Sequence, residues 1–400
     1  MGAASPVQVL AFVLGDMDLV RPLGLAGIRC AVAAPPGSPP LYSRFTEVPL
    51  AWDEVSTGGE PLVEALVRFG AAQPEPPVLF YEGDAELLLI SRHRERLSQV
   101  FRFVMADPVL VEDLVDKSRF LALAERLDLP VPVTRRVRPS AEDPMGDLEL
   151  SFPVVVKPLV RLGAWTAVGG SHKAIGVDTP EALRELWPRL AAAGPEFIVQ
   201  ERVPGPESRI ESYHVYVDAQ GEIAGEFTGR KIRTLPTSNG HSTSLTISDA
   251  ADVAEVGRAL TRRLGLRGVA KFDFKRAPDG RLRLLEVNPR FNLWHHLGAV
   301  AGVNLPALVY SDLVGSPRPE VRPARAGVCW CGLADDWRSA RESGIRLSRW
   351  LPWALHCEAK SRVAWDDPLP FLRPKLARVV AASAARRALQ GHRAGEGLGS

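Results

Sequence analysis

The sequence predicts an α/β protein of more than one domain. Apolar, strand-like runs alternate with helix-like stretches over residues 7–110, and a second series of strand-like segments lies between residues 152 and 287. The chain has 400 residues, of which 46% are hydrophobic and 24% are charged, an ordinary composition for a globular protein. Because single cores rarely grow beyond about 250–300 residues, we expect two or three domains.

The first domain is predicted to contain a parallel sheet. Residues 7–14, 28–33 and 78–81 are short apolar runs separated by helix-like stretches and turn residues. Strands that alternate with helices form parallel sheets covered by those helices. We therefore expect a Rossmann-like domain over residues 1–110. A G-x-G-x-x-G turn is missing from this region, so a dinucleotide ligand is not indicated.

Charge and composition argue against nucleic acid as a partner. The formal net charge is only +2, and the basic residues are scattered rather than interleaved with aromatic ones. The apolar run at residues 7–14 has no Lys or Arg before it and is too short to span a bilayer. The spacing of the cysteines does not suit zinc; they are Cys30, Cys329, Cys331 and Cys357. We expect a cytoplasmic protein with reduced cysteines and no membrane partner.

The same patterns predict the elements beyond residue 110. Residues 116–129 form an amphipathic stretch that Asp116 can cap, and 250–264 is also predicted to be helical. Residues 160–173 mix Gly with polar residues and predict a mobile loop. Prolines between residues 317 and 323 mark a linker into a C-terminal region that ends in a basic helix. The predicted strands of this part are 152–158, 197–201, 213–217, 222–227, 268–275 and 281–287.

One predicted hairpin carries groups that suit a divalent metal ion. Its strands are joined by Pro278-Asp279-Gly280, a tight-turn signal. Asp273 lies on the first strand, whereas Glu286, Asn288 and Arg290 alternate on the second and are expected to share one face. Two carboxylates and an amide oxygen suit a hard cation such as Mg²⁺, and a neighbouring arginine can hold a phosphate that the metal bridges. The alternative is a surface hairpin with solvated charges.

These residues resemble the ATP-grasp superfamily. The resemblance is carried by Lys271-Phe272-Asp273-Phe274 and by Leu284-Leu285-Glu286-Val287-Asn288-Pro289-Arg290. It implies an ATP-grasp fold, in which two α+β subdomains clasp ATP. It also implies that Mg²⁺, or alternatively Mn²⁺, is held by Asp273, Glu286 and Asn288. Lys271 and Arg290 would contact the transferred phosphate and act as catalytic residues.

Four further residues resemble the phosphate-binding positions of that superfamily. Lys117 would reach the phosphates from one side. Lys157 follows three β-branched residues, and a lysine there needs a partner for its charge unless it simply extends to solvent. Ser171 and Lys173, in the predicted loop, would contact phosphate and close over the site. Glycines are sparser in this loop than in the family pattern.

The resemblance also assigns an adenine hinge and a ribose contact. The hinge is the stretch Gln200-Glu201-Arg202-Val203, in which the backbone of Glu201 and Val203 would bind the adenine edge. Glu207 would accept hydrogen bonds from the ribose hydroxyls. The implied order is a Rossmann-like domain at 1–110, an ATP-grasp domain at 111–315 and a C-terminal extension at 316–400.

Within the superfamily, the sequence is similar to the carboxylate–amine ligase group that includes D-aspartate ligase-like proteins. Three stretches carry this similarity: 84–103, 227–233 with 240–243, and 291–306. The group's chemistry implies activation of a carboxylate by ATP as an acyl phosphate, attack by an amine, and release of ADP and phosphate. The implied partners are a small-molecule carboxylate and an amine, with amino acids expected. Because members of the superfamily are often dimeric, the resemblance also implies a homodimer.

Residues that face the substrate are predicted from charge. Lys231, with Arg230 and Arg233, belongs to a short basic stretch in which two of the three cations alternate. We hypothesise that Lys231 and its neighbours bind the substrate carboxylate; an exposed basic strand is the alternative. Proton transfer from the amine has three candidates, each with a structural role as the alternative: His241, His295 and His296.

Other functions remain open at this point. The nucleotide-binding motifs fit other ATP-grasp reactions, such as carboxylation or phosphoryl transfer without ligation, and they fit a non-catalytic ATP-binding protein. A Met-Lys-Met biotin-carrier signature is absent from the sequence, which argues against a self-contained carboxylase. Residues 371–391 are basic and partly amphipathic, and we expect them to pack on the body of the protein rather than on a membrane or a partner.

Overall fold

The strands in the described part of the chain form three separate sheets. The computed structural model describes residues 8–140, 145–159, 165–170, 174–194, 196–238 and 240–374. The sheets have four, four and six strands and follow one another along the chain. The predicted α/β class is therefore confirmed.

The N-terminal sheet is wholly parallel. Its strands are β1 (Ala11–Leu14), β2 (Cys30–Ala34), β3 (Thr46–Ala51) and β4 (Val78–Tyr81). The accompanying helices are α1 (Met17–Leu25), α2 (Glu54–Thr57), α3 (Gly59–Ala71), α4 (Asp84–Arg92) and α5 (Arg94–Leu97). The spatial order is β3-β2-β1-β4, which places a topological switch point between β1 and β4. The Rossmann-like arrangement predicted for this region is confirmed.

The strands of this sheet differ in burial, and this difference explains why β1, β2 and β4 are predicted from the sequence whereas β3 is not. Every residue of β1, β2 and β4 is buried, as is typical of central parallel strands. The edge strand β3 alternates between partly buried and exposed residues and contains Pro49. Proline at an edge strand is tolerated, but it weakens the strand signal in the sequence.

Two helices connect the N-terminal sheet to the rest of the chain: α6 (Pro108–Val115) and α7 (Lys117–Arg126). The side chain of Asp116 accepts hydrogen bonds from the backbone N–H groups of Ser118 and Arg119. This satisfies donors that a helix start leaves unpaired. The helix predicted at 116–129 is confirmed, with its last turn ending at Arg126.

The second sheet is small and antiparallel. Its strands are β5 (Thr134–Val137), β6 (Val154–Pro158), β7 (Ile175–Val177) and β8 (Phe197–Glu201), in the spatial order β5-β8-β6-β7. Two helices accompany it, α8 (Trp165–Gly169) and α9 (Pro180–Ala193). The predicted loop at 160–173 thus contains one short helix, in which Trp165 is buried. Residues 160–164 and 171–173 lie outside the described residues.

The third sheet is the largest and is antiparallel throughout. Its spatial order is β13-β12-β9-β10-β11-β14. Its strands are β9 (Ile210–Val217), β10 (Ile223–Leu235), β11 (His241–Ser248), β12 (Gly268–Arg276), β13 (Leu282–Asn288) and β14 (Cys329–Cys331). The helices α10 (Ala251–Arg263), α11 (Trp294–Ala301) and α12 (Leu305–Val314) belong to the same part of the chain. The predicted hairpin is the β12–β13 pair.

The C-terminal region adds to the large sheet rather than standing apart from it. Strand β14 pairs with β11, and α13 (Leu333–Glu342) and α14 (Leu347–His356) follow it. The segment after α14 then reaches the N-terminal domain, where Arg362 pairs with Asp16 and Asp366 pairs with Arg21. The extension therefore joins the first and third sheets. Most of the predicted basic helix at 371–391 lies outside the described residues.

No single helix in the described part of the chain is long and apolar enough to cross a membrane. The pair α11 and α12, which is bent by 88°, passes that test by length and composition only. Both helices bury most of their residues inside the protein.

Candidate active site

Side chains from the small and large sheets meet in one group, which we call the intersheet site: Lys157, Glu207, Lys271, Asp273 and Glu286. Lys157 lies on β6 and Glu207 follows β8, whereas the other three lie on β12 and β13. Burial lowers the pKa of Lys157, and the negative charges of Glu286 and Glu207 oppose this shift. Both carboxylates therefore lie near the Lys157 ammonium, which joins the two sheets electrostatically.

Strand register holds the acidic part of the intersheet site. Asp273 lies directly opposite Glu286 in the β12–β13 ladder. The Lys271 ammonium donates to Asp273 Oδ2 at 2.7 Å and lies 3.6 Å from Glu286 Oε1. Ser212 Oγ donates to Asp273 Oδ1 at 2.5 Å, and Asn288 Nδ2 donates to Glu286 Oε1 at 3.1 Å. The Lys271 ammonium is thus stabilised between the carboxylates of Asp273 and Glu286.

The charges at this position are fixed by their neighbours. Burial would raise the pKa of Asp273, but the cations Lys271 and Lys231 outweigh burial and hold that pKa well below its usual range. Burial would lower the pKa of Lys271, but Asp273 and Glu286 raise it above its ordinary value. Asp273 is therefore an anion and Lys271 a cation near neutral pH.

The oxygen atoms of this group fit Mg²⁺ that arrives with phosphate. Among the described residues, no three His, Cys, Asp or Glu side chains are grouped closely enough to hold a metal ion on their own. Mg²⁺ usually takes only one or two protein carboxylates and completes its coordination with substrate phosphates and water. Asp273, Glu286 and the amide oxygen of Asn288 match that requirement. The position of the Lys271 ammonium shows that positive charge is favoured between the carboxylates.

A chain of hydrogen bonds positions Lys157. Its ammonium donates to Gln200 Oε1 at 2.9 Å, and Gln200 Nε2 donates to Thr134 Oγ1 at 2.9 Å. Gln200, predicted to bind the nucleotide, therefore contacts Lys157 directly. Lys117 Nζ donates to the carbonyl oxygen of Pro158, at the end of the same strand, at 2.5 Å. The two predicted phosphate-binding lysines thus lie at one end of β6.

The predicted hinge lies at the end of β8. The Glu201 N–H donates to the Val133 carbonyl oxygen at 2.9 Å, and the Glu201 carboxylate accepts from the Ser151 N–H at 2.8 Å. Within the described ranges, the Val203 N–H has no acceptor. A backbone donor left open beside a strand end is what recognition of an adenine edge requires. Glu207 accepts from Lys275 Nζ at 3.3 Å. Ser171 and Lys173 lie outside the described residues.

Comparison with known proteins supplies the family. A protein-family model described as "ATP-grasp in the biosynthetic pathway with Ter operon" matches residues 194–330. The chain is 30% identical over 296 residues to D-aspartate ligase of Enterococcus faecium, a similarity that covers 69% of this chain and 68% of that protein. The chain belongs to the ATP-grasp family. Within it, the chain falls in the carboxylate–amine ligase group, and it is an enzyme, an ATP-grasp ligase.

More distant similarities support the fold. The chain is 24% identical over 278 residues to the carbamoyl phosphate synthase large chain of Clostridium beijerinckii, of which it spans only 24%. The structure of N5-carboxyaminoimidazole ribonucleotide synthetase in complex with ADP aligns with a TM-score of 0.59 at 18% identity, covering 80% of each chain. L-amino acid ligase from Bacillus licheniformis aligns with a TM-score of 0.56 at 15% identity, covering 80% of this chain and 78% of that one. The predicted ATP-grasp fold is confirmed.

Arg290 of this ATP-grasp ligase lies elsewhere than predicted. The expectation that it shares a face with Glu286 and Asn288 is wrong, because β13 ends at Asn288 and strand alternation ends with it. The Arg290 guanidinium instead forms an ion pair with Asp84 and donates to the Glu82 carbonyl oxygen at 2.6 Å. Its charge still affects the pKa of Lys271, so Arg290 lies beside the intersheet site, at the boundary with the N-terminal domain.

The basic stretch on β10 is divided between two faces of the sheet. Lys231 pairs with Leu245, and Arg233 pairs with Ser244, so Ile232 is an extra residue that shifts the register. The charge of Lys231 lowers the pKa of Asp273, which places Lys231 near the intersheet site. The hypothesis that Arg233 also binds substrate is wrong in this geometry. Its guanidinium binds the buried Asp336 carboxylate through two hydrogen bonds of 2.9 and 2.6 Å.

The three predicted histidines have different surroundings. His241 is exposed and lies 3.6 Å from the Asp335 carboxylate, and His296 Nδ1 lies 2.9 Å from Ser361 Oγ. His295 is buried, with no hydrogen-bond partner for either ring nitrogen among the described residues. Burial, reinforced by the charge of Arg290, lowers the pKa of His295 to about 3. Of the three, only His295 lies near the predicted catalytic cations.

Sequence reasoning missed residues that strand pairing brings to the site. Ser212 and His214 lie on β9, directly opposite Asp273 and Lys271. Nothing local in the β9 sequence marks them, because the pairing partner is far away along the chain. Lys275, however, lies two residues beyond Asp273 and shares its face by strand alternation. The alternation that identified Lys271 and Asp273 could have identified Lys275 as well.

Cavity size does not mark the site in this ATP-grasp ligase. A cavity of about 470 Å³ is lined by Tyr213, Glu226 and Arg258 and lies against α10. Tyr213 alternates with Ser212 on β9 and so faces away from Asp273. The intersheet site is distinguished by its charges and hydrogen bonds rather than by a large cavity.

Proposed function

We propose that this ATP-grasp ligase uses ATP to convert a small-molecule carboxylate into an acyl phosphate, joins it to an amine and releases ADP and phosphate. The observation that carries the proposal is the Asp273–Glu286 pair bridged by Lys271, close to Lys157 of the opposite sheet. A carboxylate is a poor acylating agent because its leaving oxide is strongly basic. Phosphorylation replaces that oxide with phosphate, and the amide can then form.

The charge balance of the site suits a phosphorylated substrate. Phosphoryl transfer spreads negative charge over several oxygens, so its catalysis depends on cations placed on several sides. Among the described residues, the site and its border contain the carboxylates of Asp273, Glu286 and Glu207, and also that of Asp84, which pairs with Arg290. The surrounding cations exceed them in number and come from several strands, from the start of α7 and from the segment after β13: Lys117, Lys157, Lys231, Lys271, Lys275 and Arg290. An anionic ligand would neutralise this excess.

Different residues would hold the metal ion and contact the transferred phosphate. Asp273, Glu286 and Asn288 would hold Mg²⁺ or Mn²⁺, which when bound neutralises phosphate oxygens of ATP. Because Lys271 and Lys231 lower the pKa of Asp273, this carboxylate is ionised before any metal arrives. Lys271 would then contact the transferred phosphate.

The nucleotide would be held along β6 and the end of β8. Lys117 and Lys157 would bind phosphate, with Gln200 keeping the Lys157 ammonium in place through its 2.9 Å hydrogen bond. The backbone of Glu201 and Val203 would bind the adenine edge. Glu207 would accept hydrogen bonds from the ribose hydroxyls.

The substrates are proposed from the site and from one relative. Lys231 and Arg290 border the carboxylate pair on two sides and are suited to orient a substrate carboxylate against the γ-phosphate. The relative at 30% identity is a D-aspartate ligase, which favours an amino acid as one of the two substrates. Orientation by fixed cations, rather than covalent catalysis, would supply most of the rate.

The decisive experiment measures ADP and phosphate release with Mg·ATP and pools of amino acids and small acids, followed by mass spectrometry of the mixture. ADP release that requires both an acid and an amine, with a product of the condensed mass, would establish the ligation. ADP release with a phosphorylated or carboxylated product would instead show another ATP-grasp reaction. Glu286→Gln serves as the catalytically impaired control.

A further inference from the structure

Lys275 is a buried lysine on the site face of β12. It is 7% exposed, and it follows Lys271 and Asp273 at every second position of the same strand. Its ammonium donates to Glu207 Oε1 at 3.3 Å. Glu207 begins the short 3₁₀ turn Glu207–Arg209, which leads directly into β9, the strand that pairs with β12, so this ion pair holds the turn against the edge of the large sheet. The side chains of the two residues are 8% and 17% exposed.

This contact leaves most of the Lys275 ammonium without a protein partner. A lysine ammonium has three donors, and within the described ranges only Glu207 accepts from Lys275. Burying a charged group with few hydrogen bonds costs free energy, so a lysine kept in this position calls for a functional explanation. The Lys157 ammonium also lies near Glu207, because Glu207 opposes the lowering of the Lys157 pKa. Glu207 is therefore attracted by two lysines, one from each sheet.

We propose that Lys275 is a nucleotide-positioning residue that holds the Glu207 carboxylate toward the ribose and away from Lys157. The inference rests on the proposed role of Glu207 as the ribose acceptor. With Lys275 in place, Glu207 keeps a fixed orientation and Lys157 remains available to phosphate. Without Lys275, the remaining attraction draws Glu207 to Lys157, and both the ribose contact and the phosphate contact weaken.

Because a hydrogen bond from a hydroxyl to a carboxylate is charge-assisted, its loss produces a measurable preference among nucleotides. The wild-type enzyme should bind ATP about tenfold or more tightly than 2′-deoxy-ATP or 3′-deoxy-ATP. Lys275→Met should bind ATP about tenfold more weakly and should lose most of the preference for the ribose hydroxyls. Lys275→Gln provides the same comparison should the methionine variant fail to fold.

The neighbouring residue supplies a matched control. Arg276 follows Lys275 on the same strand but points to the other face, where it pairs with Glu211 and with Asp252. Arg276→Met removes a half-buried ion pair from the same strand and should lower thermal stability. It should leave the preference for ATP over the deoxy nucleotides unchanged.

The test is isothermal titration calorimetry of the full chain with each nucleotide and Mg²⁺, without acid or amine. It compares wild type, Lys275→Met, Glu207→Gln and Arg276→Met. Loss of ribose preference in both Lys275→Met and Glu207→Gln, but not in Arg276→Met, supports the inference. Loss in Glu207→Gln alone overturns the role of Lys275 and leaves the proposed nucleotide site standing. Retention in Glu207→Gln overturns the ribose assignment as well.

Discussion

Replacing Arg233 by methionine should lower the stability of the enzyme without affecting substrate binding. Replacing Lys231 by methionine should weaken substrate binding with little effect on stability. The two residues lie on one short basic stretch, but the register shift at Ile232 separates them. Arg233 binds Asp336 through two hydrogen bonds and lies over the ring of Trp353 at 4.2 Å. Lys231 instead acts on Asp273 of the intersheet site.

The magnitude for Arg233→Met follows from the burial of Asp336, which is 0% exposed. Removing one partner of a buried ion pair costs about 3–5 kcal/mol, because the other charge is left buried and uncompensated. Three neutral donors remain: Thr243 Oγ1 at 2.9 Å, Trp350 Nε1 at 2.8 Å and the Cys331 thiol at 3.6 Å. We therefore expect the lower end of that range, about 3 kcal/mol.

The difference in stability between wild type and Arg233→Met should also depend on pH. Burial opposes ionisation of Asp336, but Arg233 and the surrounding hydrogen bonds outweigh it and lower the pKa of this carboxylate. A lowered acid pKa contributes stability that is present at neutral pH and is lost as the pH falls through the folded-state pKa. The stability gap between wild type and Arg233→Met should therefore narrow below about pH 4.

The assay is urea unfolding followed by tryptophan fluorescence, since Trp350 and Trp353 both contact this ion pair. Lys231→Met should unfold within about 1 kcal/mol of wild type, as expected for a change outside a buried pair. In steady-state kinetics, Lys231→Met should raise the KM for the acid substrate. An Arg233→Met protein of unchanged stability but raised KM for the acid would refute the assignment made from the register shift.

Three further predictions concern the intersheet site and its border. Glu286→Gln or Lys157→Ala should lower turnover by at least ~10²-fold, the scale of losing one preorganised charge-stabilising group, and near-normal turnover in both would contradict the site assignment. Because burial lowers the pKa of Lys157, this lysine loses its proton at a lower pH than an ordinary one. ATP binding, measured by calorimetry, should weaken at alkaline pH, and Lys157→Arg should shift that loss to higher pH. Burial raises the pKa of Glu82 to about 7, whereas an unfolded glutamate ionises at about pH 4.3, so the free energy of unfolding falls as the pH rises from about 4.3 to about 7. Thermal unfolding should show Glu82→Gln gaining stability relative to wild type between pH 5 and pH 8. A difference in stability that stays constant over this pH range would contradict the prediction.

Strand alternation predicted the centre of the site well. Lys271 and Asp273 lie two residues apart on β12, and Glu286 and Asn288 two apart on β13, so each pair shares a face whatever the rest of the fold does. Counted back from the turn at Asp279 and Gly280, regular pairing would place Asp273 opposite Leu285, and a register shift between Asp273 and Phe274 places it opposite Glu286 instead. The β12–β13 register confirms the geometry that the sequence predicted, with Asp273 opposite Glu286.

The same argument failed where the strands are irregular or end early. On β10, one extra residue at Ile232 places Arg233 on the other face from Lys231, and a second register shift follows between Arg233 and Thr234. The local sequence does not predict a bulge at this position, since isoleucine fits a regular strand as well as it fits a bulge. On β13, alternation was extended to Arg290, two residues past the end of the strand. A sequence pattern gives the period of a strand but not the point at which that period is interrupted.

Contacts between distant segments were beyond sequence reasoning for a different reason. The pairing of β14 with β11, and the ion pairs of Arg362 with Asp16 and of Asp366 with Arg21, join parts of the chain that share no local pattern. Each contact depends on how three sheets pack. The role of the C-terminal extension as a connection between the first and third sheets therefore became visible only in the structure.

The position of this connection has a consequence for the chemistry. Arg362 binds Asp16, next to Glu82, whose backbone carbonyl accepts from Arg290. Arg290 in turn lies close enough to Lys271 to affect its pKa. Arg290, one of the two cations that would orient the substrate, is thus held between two domains rather than by one. A change in the position of the N-terminal domain would move Arg290 relative to Lys271, so the contacts of the extension with that domain bear directly on the alignment of the reacting groups.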